Sequence, residues 1–261
     1  MLAIKESCAV ITGGSGGIGM ALAKKWLEYG GRVVIADIDG KALERTQKKL
    51  GESIETFVCN VAKEKDCSAL ANFAMEKMGQ INLVAPFAGI IKDSMMVSPG
   101  LESKKVDKKM SLGDFKSVID INLTGVFLTI RECSEQMINN NCKGLICLMS
   151  STSSLGTAGQ INYSSAKAAM NTMPKVLTAE FFRRGLADRI RCVAIAPGYV
   201  GTDMVKNMNQ KALERIVKDI PIGRLIEPEE VAELTCAIFT NEALAGDTYF
   251  IHGGLRLGSK G

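Results

Sequence analysis

Tyr163 and Lys167 stand four residues apart inside a stretch of helical periodicity, so both side chains project from one helix face. A free tyrosine phenol, with a pKa of about 10, is a poor base at neutral pH unless a neighbouring cation favours the phenolate. Lys167 is such a cation. A pair of this kind can take the proton of an alcohol as hydride leaves its carbon, or return one in the reverse direction. Ser150 closes an apolar run 13 residues before Tyr163. A hydroxyl there can hold a substrate oxygen and steady the charge developing on it. Ser151 offers the same group one residue on. Tyr-x-x-x-Lys also arises by chance, and a tyrosine on a helix face is compatible with packing alone.

A second cluster could hold phosphate. Thr12-Gly13-Gly14-Ser15-Gly16-Gly17-Ile18-Gly19 follows an apolar run and opens a helical pattern. Backbone N–H groups and the positive helix end can then meet a pyrophosphate, an approach that side chains would block. Asp37 ends the next apolar run, 18 residues beyond Gly19. That separation suits an acidic residue on the adenosine ribose, where it accepts from the 2′- and 3′-hydroxyls and repels a 2′-phosphate. Neither Gly16 nor Ile38 supplies the cation a 2′-phosphate needs, so NAD(H) is favoured over NADP(H).

The elements that must position these groups follow an alternating pattern of short apolar runs and longer amphipathic stretches, which predicts an α/β fold. We expect a single Rossmann-type doubly wound domain over residues 1–261, with a seven-stranded parallel sheet flanked by helices. The strands read as Cys8–Thr12, Arg32–Asp37, Glu55–Asn60, Leu83–Ala88, Leu145–Ser150, Ile190–Ala196 and Thr248–Ile251. Helical patterns run over Ile18–Tyr29, Lys41–Leu50, Lys63–Met78, Leu112–Asn139, Asn162–Arg184 and Pro228–Phe239. Two long connections, residues 90–111 and 198–227, leave strand C-terminal ends and are expected to cover the active site.

Composition narrows the function classes. With 46% hydrophobic and 23% charged residues among 261, the chain can bury a sizeable core. A net charge of +4 gives no reason to expect a nucleic-acid partner. Eight cysteines include no Cys-x-x-Cys pair and the single histidine is His252, so no metal site is expected. Met1–Val10 lacks the apolar core of a secretion signal, and no run approaches the roughly 18 apolar residues of a membrane span. The expected location is cytoplasmic, with no membrane partner.

Thr12 to Gly19, Asp37, Asn122, Ser150, Tyr163, Lys167 and Pro197-Gly198 resemble, in order and spacing over nearly the whole chain, the short-chain dehydrogenase/reductase family. The ending Gly253-Gly254-Leu255 is similar to that of its 3-oxoacyl-carrier-protein reductase branch. The resemblance implies that Tyr163 is the acid/base, that Lys167 lowers its pKa and binds the nicotinamide ribose, and that Ser150 positions substrate. The ungapped distance from Gly156 to Tyr163 selects Ser150 over Ser151 by that resemblance. Asn122 would hold a water in a proton relay leading to the lysine. Cofactor contacts are implied at Gly13, Ser15, Gly17, Ile18 and Gly19 around the diphosphate, and at Asn60-Val61 against the adenine. Further contacts fall at Ala88-Gly89, Pro197-Gly198, Val200 and Thr202.

The implied reaction is NAD(H)-dependent interconversion of a 3-oxoacyl and a 3-hydroxyacyl thioester, carried on coenzyme A or an acyl carrier protein. Another secondary alcohol (steroid, sugar or polyol) is the alternative substrate. A catalytically inactive nucleotide-sensing protein is the alternative of another class. Apolar stripes around Val118–Leu128 and Ala168–Phe181, with the family's habit of packing these helices between subunits, imply a homotetramer, a dimer being second.

The sequence also departs from the family pattern. Pro86-Phe87 replaces a usual Asn-Asn, which removes a backbone donor and restricts Ala85, so the lost hydrogen bonds need replacement. Asn60 stands where aspartate is common. Pro174 is expected to bend the helix carrying Tyr163. The connection after Gly89 is longer by roughly ten residues. It carries Lys92, Lys104, Lys105, Lys108 and Lys109 around a Pro99-Gly100 turn, either as a solvated hairpin or as a patch attracting the phosphates of a thioester carrier.

Overall fold

Apolar runs that do not alternate make strands covered on both faces, and here they form the middle of the sheet. The computed structural model describes residues 2–51, 53–100, 105–202, 205 and 209–255. In chain order the strands are β1 (Cys8–Thr12), β2 (Arg32–Asp37), β3 (Ile54–Val58), β4 (Leu83–Pro86), β5 (Val97–Pro99), β6 (Val106–Lys109), β7 (Gly144–Met149), β8 (Ile190–Pro197) and β9 (Thr248–Ile251). Seven of them form one parallel sheet in the order β3-β2-β1-β4-β7-β8-β9. β1, β4, β7 and β8 are buried along their whole length.

The helices are α1 (Gly17–Glu28), α2 (Gly40–Leu50), α3 (Glu64–Met78), α4 (Leu112–Ile119), α5 (Gly125–Asn139), α6 (Ile161–Arg183), α7 (Gln210–Asp219) and α8 (Pro228–Thr240). Strand residues alternate between two cores. Val10, Val34, Val84, Ile146 and Ala194 meet Leu70 of α3, Ile130 of α5 and Met170 of α6. Ala9, Ile11, Val33, Leu83 and Leu145 face Leu22 and Trp26 of α1 and Val231 and Phe239 of α8 on the other side. Trp26 and Phe239 pack edge to face, with ring centroids 4.7 Å apart.

The chain builds outward from β1 to β3 and then returns to place β4 on the other side of β1. This reversal leaves a crevice at the strands' C-terminal ends, the usual ligand position in such sheets.

Three features differ from the sequence pattern. The helix expected over Leu112–Asn139 is interrupted by a π-helical segment at Asp120–Thr124, which splits it into α4 and α5. The connection 198–227 contains α7, whose charged sequence Gln-Lys-Ala-Leu-Glu-Arg concealed a helix that Asn209 caps through Lys211 N–H. The strand expected to end at Asn60 stops at Val58, and the one expected to reach Ala88 stops at Pro86. The connection after Gly89 does form a hairpin: Val97 pairs with Lys109 and Ser98 with Lys108, and Gly100 N–H donates to the Lys105 carbonyl. Lys104 lies outside the described residues, as do parts of the second connection. α6 continues through the buried Pro174 as one helix, so Tyr163 and Lys167 keep a shared face.

Candidate active site

The glycine-rich turn sits in the β1–β4 crevice. Gly13 has φ +65°, and a Cβ there would lie 2.8 Å from both Ala88 Cα and Ala88 N. A Cβ on Gly19 would lie 2.3 Å from the Gly13 carbonyl oxygen. Side chains at these positions would therefore fill the turn. Helix α1 begins at Gly17 with no side-chain cap and no acidic residue in its first turn, so its end is left electropositive. Thr202 adjoins it, because a Cβ on Gly17 would come within 2.8 Å of Thr202 Cγ2. Ile18 is half-buried against the β1 side of the core.

Asp37 closes β2 beside this turn. Its Oδ2 accepts from the Ser15 hydroxyl and, at 3.4 Å, from Ser15 N–H, while Oδ1 accepts from Asp39 N–H at 3.2 Å. An uncapped helix end, glycines packed too closely to carry side chains and a carboxylate at the next strand end together offer the donors and the acceptor that suit a dinucleotide. The adenine-side residues are less free. Asn60 Oδ1 accepts from Ala62 N–H at 3.0 Å, and Val61 is buried against Gly125. Pro197 ends β8, Gly198 N–H donates to Ile251, and buried Val200 bridges to Ile226.

The loss of the usual Asn-Asn is compensated locally. Phe87 N–H donates to Ala85 O at 2.9 Å and to Thr12 O at 3.2 Å, and Ala88 N–H reaches the Thr12 hydroxyl at 3.3 Å. Beyond Gly89 the chain is held by fully buried Asn122. Its Oδ1 accepts from Ile90 N–H at 2.8 Å and its Nδ2 donates to Ile90 O at 2.9 Å. The π-helical turn delivers this amide to Ile90. The side chain is thus committed to the backbone, and a relay role would fall to other atoms of this turn.

Tyr163 and Lys167 lie one turn apart on α6. Lys167 is 5% exposed, its Nζ donates to Met149 O at 2.7 Å, and it lies 5.4 Å from the Tyr163 ring centroid. Burial alone brings the ammonium down to about 8. Burial pushes the Tyr163 phenol up to about 12, opposed by a hydrogen bond with Ser151 and reinforced by the charge of Asp93. The influence that lowers Tyr163 therefore comes from Ser151.

Ser150 is placed differently from its expected role. Its hydroxyl lies 2.9 Å from Lys167 O and 2.7 Å from Asn171 Oδ1. Asn171 stands one turn beyond Lys167 on α6, and nothing in its type or spacing marks it in the sequence. Beside the turn that carries Tyr163 opens a cavity of 370 Å³, lined by Met95 and Met96 together with Gly156–Gly159, Ile161, Ser164 and Ser165.

The sequence and the fold are similar to those of known proteins. The short chain dehydrogenase family model matches residues 7–213. The chain belongs to the short chain dehydrogenase family. Within that family it is 32% identical over 257 residues to the 3-oxoacyl-[acyl-carrier-protein] reductase of Rickettsia typhi, covering 98% of this chain and 99% of the relative. It is 32% identical to the corresponding Synechocystis protein over 263 residues, with 98% and 99% covered. Nodulation protein G of Rhizobium is 31% identical, with 95% and 96% covered. The fold matches a crystal structure of the Brucella melitensis 3-ketoacyl-(acyl-carrier-protein) reductase complexed with NADH. The TM-score is 0.83 at 23% identity, covering 98% of this chain and 100% of that one. The short chain dehydrogenase match begins one residue before β1 and spans the glycine turn, Asp37 and the whole of α6.

Proposed function

We propose that the protein is an NAD(H)-linked oxidoreductase that interconverts a 3-oxoacyl and a 3-hydroxyacyl thioester. The observation that carries this reading is the Tyr163–Lys167 pair held on α6 at the C-terminal end of the sheet, the end that also carries the glycine turn. The relatives near 32% identity over 98% of the chain support the thioester. So does the methionine-lined cavity, of a size that suits an acyl chain.

The nicotinamide, when bound, supplies or accepts hydride. Gly13, Gly17, Gly19 and the start of α1 bind the diphosphate, with Ser15, Ile18 and Thr202 at its margin. Asp37 takes the ribose diol, and Ala88, Gly89, Asn60 and Val61 line the adenosine side. Pro197, Gly198 and Val200 approach the nicotinamide end. Tyr163, protonated at neutral pH, donates its proton to the carbonyl oxygen as that oxygen gains charge, and retrieves it in oxidation. Lys167, lowered to about 8 and still mostly protonated at neutral pH, receives the ribose one turn from the phenol. One hydroxyl of the Ser150–Ser151 pair holds the same substrate oxygen.

Lys108 and Lys109 on the exposed hairpin suit the phosphates of coenzyme A or a carrier protein. Lys92 is already paired with Asp114 at 3.0 Å. Exposed Leu112, Phe127, Val176 and Phe182 on α4 to α6 support a homotetramer. Eight buried free thiols support a cytoplasmic setting.

Two measurements test this reading. In a screen of NADH and NADPH against acetoacetyl thioesters, long-chain thioesters and unrelated ketones, oxidation of NADH by a 3-oxoacyl thioester is expected. Turnover confined to a sugar or steroid would overturn the thioester. Replacing Asp37 with serine should lower kcat/KM for NADH and raise that for NADPH, shifting the ratio by about two orders of magnitude. An unshifted ratio would remove Asp37 from the cofactor site.

A further inference from the structure

Two adjacent hydroxyls follow β7, and they face different partners. Ser150 is 3% exposed, and its hydroxyl is directed at Lys167 O and Asn171 Oδ1. Asn171 in turn donates from Nδ2 to Ser154 Oγ at 2.9 Å, and its Oδ1 accepts from the Thr248 hydroxyl at 3.4 Å. One half-buried amide therefore ties the end of β7, the 3₁₀ turn at Thr152–Leu155 and β9 to α6. A single O–H directed at two acceptors has no proton left for a substrate.

Ser151 is extended, at φ −165° and ψ 158°, so its side chain leaves the strand end in the opposite sense to that of Ser150. It is half-buried, and its Oγ accepts from Ser153 N–H at 3.1 Å. That bond orients the oxygen and leaves the hydroxyl proton to be donated. The phenol of Tyr163 is its hydrogen-bonding neighbour.

We propose that Ser151, in place of Ser150, holds the substrate's carbonyl oxygen beside Tyr163, and that Ser150 and Asn171 form a structural clamp fixing this loop to α6. The inference rests on the carbonyl–alcohol chemistry above and is independent of the thioester. In reduction the carbonyl carbon gains hydride, the C–O π pair moves to oxygen, and Tyr163 supplies the proton. Ser151 donates a hydrogen bond to that oxygen throughout and keeps its own proton. The ungapped family spacing points one residue earlier because it counts positions along the chain. Asn171 changes which hydroxyl is free at the end of the strand.

The test compares Ser150→Ala, Ser151→Ala and Ser151→Thr, each assayed with NADH on acetoacetyl coenzyme A and on ethyl acetoacetate, a ketone without a thioester. NADH affinity by fluorescence and thermal midpoints accompany each variant. Ser151→Ala should lose about 10²-fold in kcat with NADH affinity unchanged, and Ser151→Thr should recover most of it. Ser150→Ala should lower the thermal midpoint while keeping kcat within about tenfold of wild type. Ser151→Ala with wild-type kcat, or a folded, NADH-binding Ser150→Ala with the larger loss, would overturn the proposal. Should Ser150→Ala fail to fold, the Ser151→Ala and Ser151→Thr pair decides alone. Wild-type turnover of the ketone without the thioester would sink the thioester and leave the comparison of serines intact.

Discussion

Lys167→Met is expected to make the cofactor-free protein more stable at neutral pH while removing its turnover. The ammonium is 5% exposed, and burial lowers its pKa from 10.5 to about 8. Below pH 8 both folded and unfolded chains hold the proton, so the cost of burying charge is fully present and does not vary with pH. Between 8 and 10.5 the unfolded chain binds more protons, and stability rises with pH. The shift corresponds to about 3 kcal/mol, less about 1 kcal/mol for the hydrogen bond to Met149 that the variant forfeits. Buried Cys133, Cys147 and Cys236, pushed up to about 12 from 9.0, act in the other direction above pH 9. They are common to both proteins and cancel in the difference. Urea midpoints at several pH values should show the variant ahead by about 2 kcal/mol at pH 7, with the gap closing towards pH 10. A variant less stable than wild type at pH 7 would contradict the buried-charge account. Turnover should fall by about 10³-fold, because in the proposed mechanism the ammonium that receives the cofactor's ribose beside Tyr163 is gone.

Tyr163→Phe should cost about 10³-fold in kcat and leave NADH binding within threefold. In the proposed mechanism the phenol is the group from which the substrate oxygen takes its proton, and phenylalanine fills the same half-buried space. With Tyr163 at about 12, the protonated form dominates at neutral pH. Reduction by the wild type should therefore be nearly flat from pH 6 to 7, below the titration of Lys167, and oxidation should quicken over the same range. The variant should lose that rise. Residual activity close to wild type, with intact NADH fluorescence, would mean that another group transfers the proton.

Much of the site is local chemistry, and local chemistry is legible along the chain. The Tyr163–Lys167 spacing places both on one helix face wherever that helix packs. The glycine turn and Asp37 lie at strand ends that apolar runs of five or six residues already mark. The parallel sheet follows from those runs because only strands covered on both sides can dispense with alternation. Periodicity could not reveal the π-helical turn at Asp120–Thr124, since the bond that shapes it joins Asn122 to Ile90, 32 residues away. Helix α7 was hidden by its charge and by lying in a connection that pattern alone assigns to loop.

The sequence by itself determined the family, the sheet and the Tyr163–Lys167 pair, because each depends on residue type and short-range spacing. Only the tertiary structure decided which of two hydroxyls is tied to α6. Ser150 and Ser151 are the same chemical group one position apart, and what separates them is Asn171, brought to the end of β7 by the packing of α6 on the sheet.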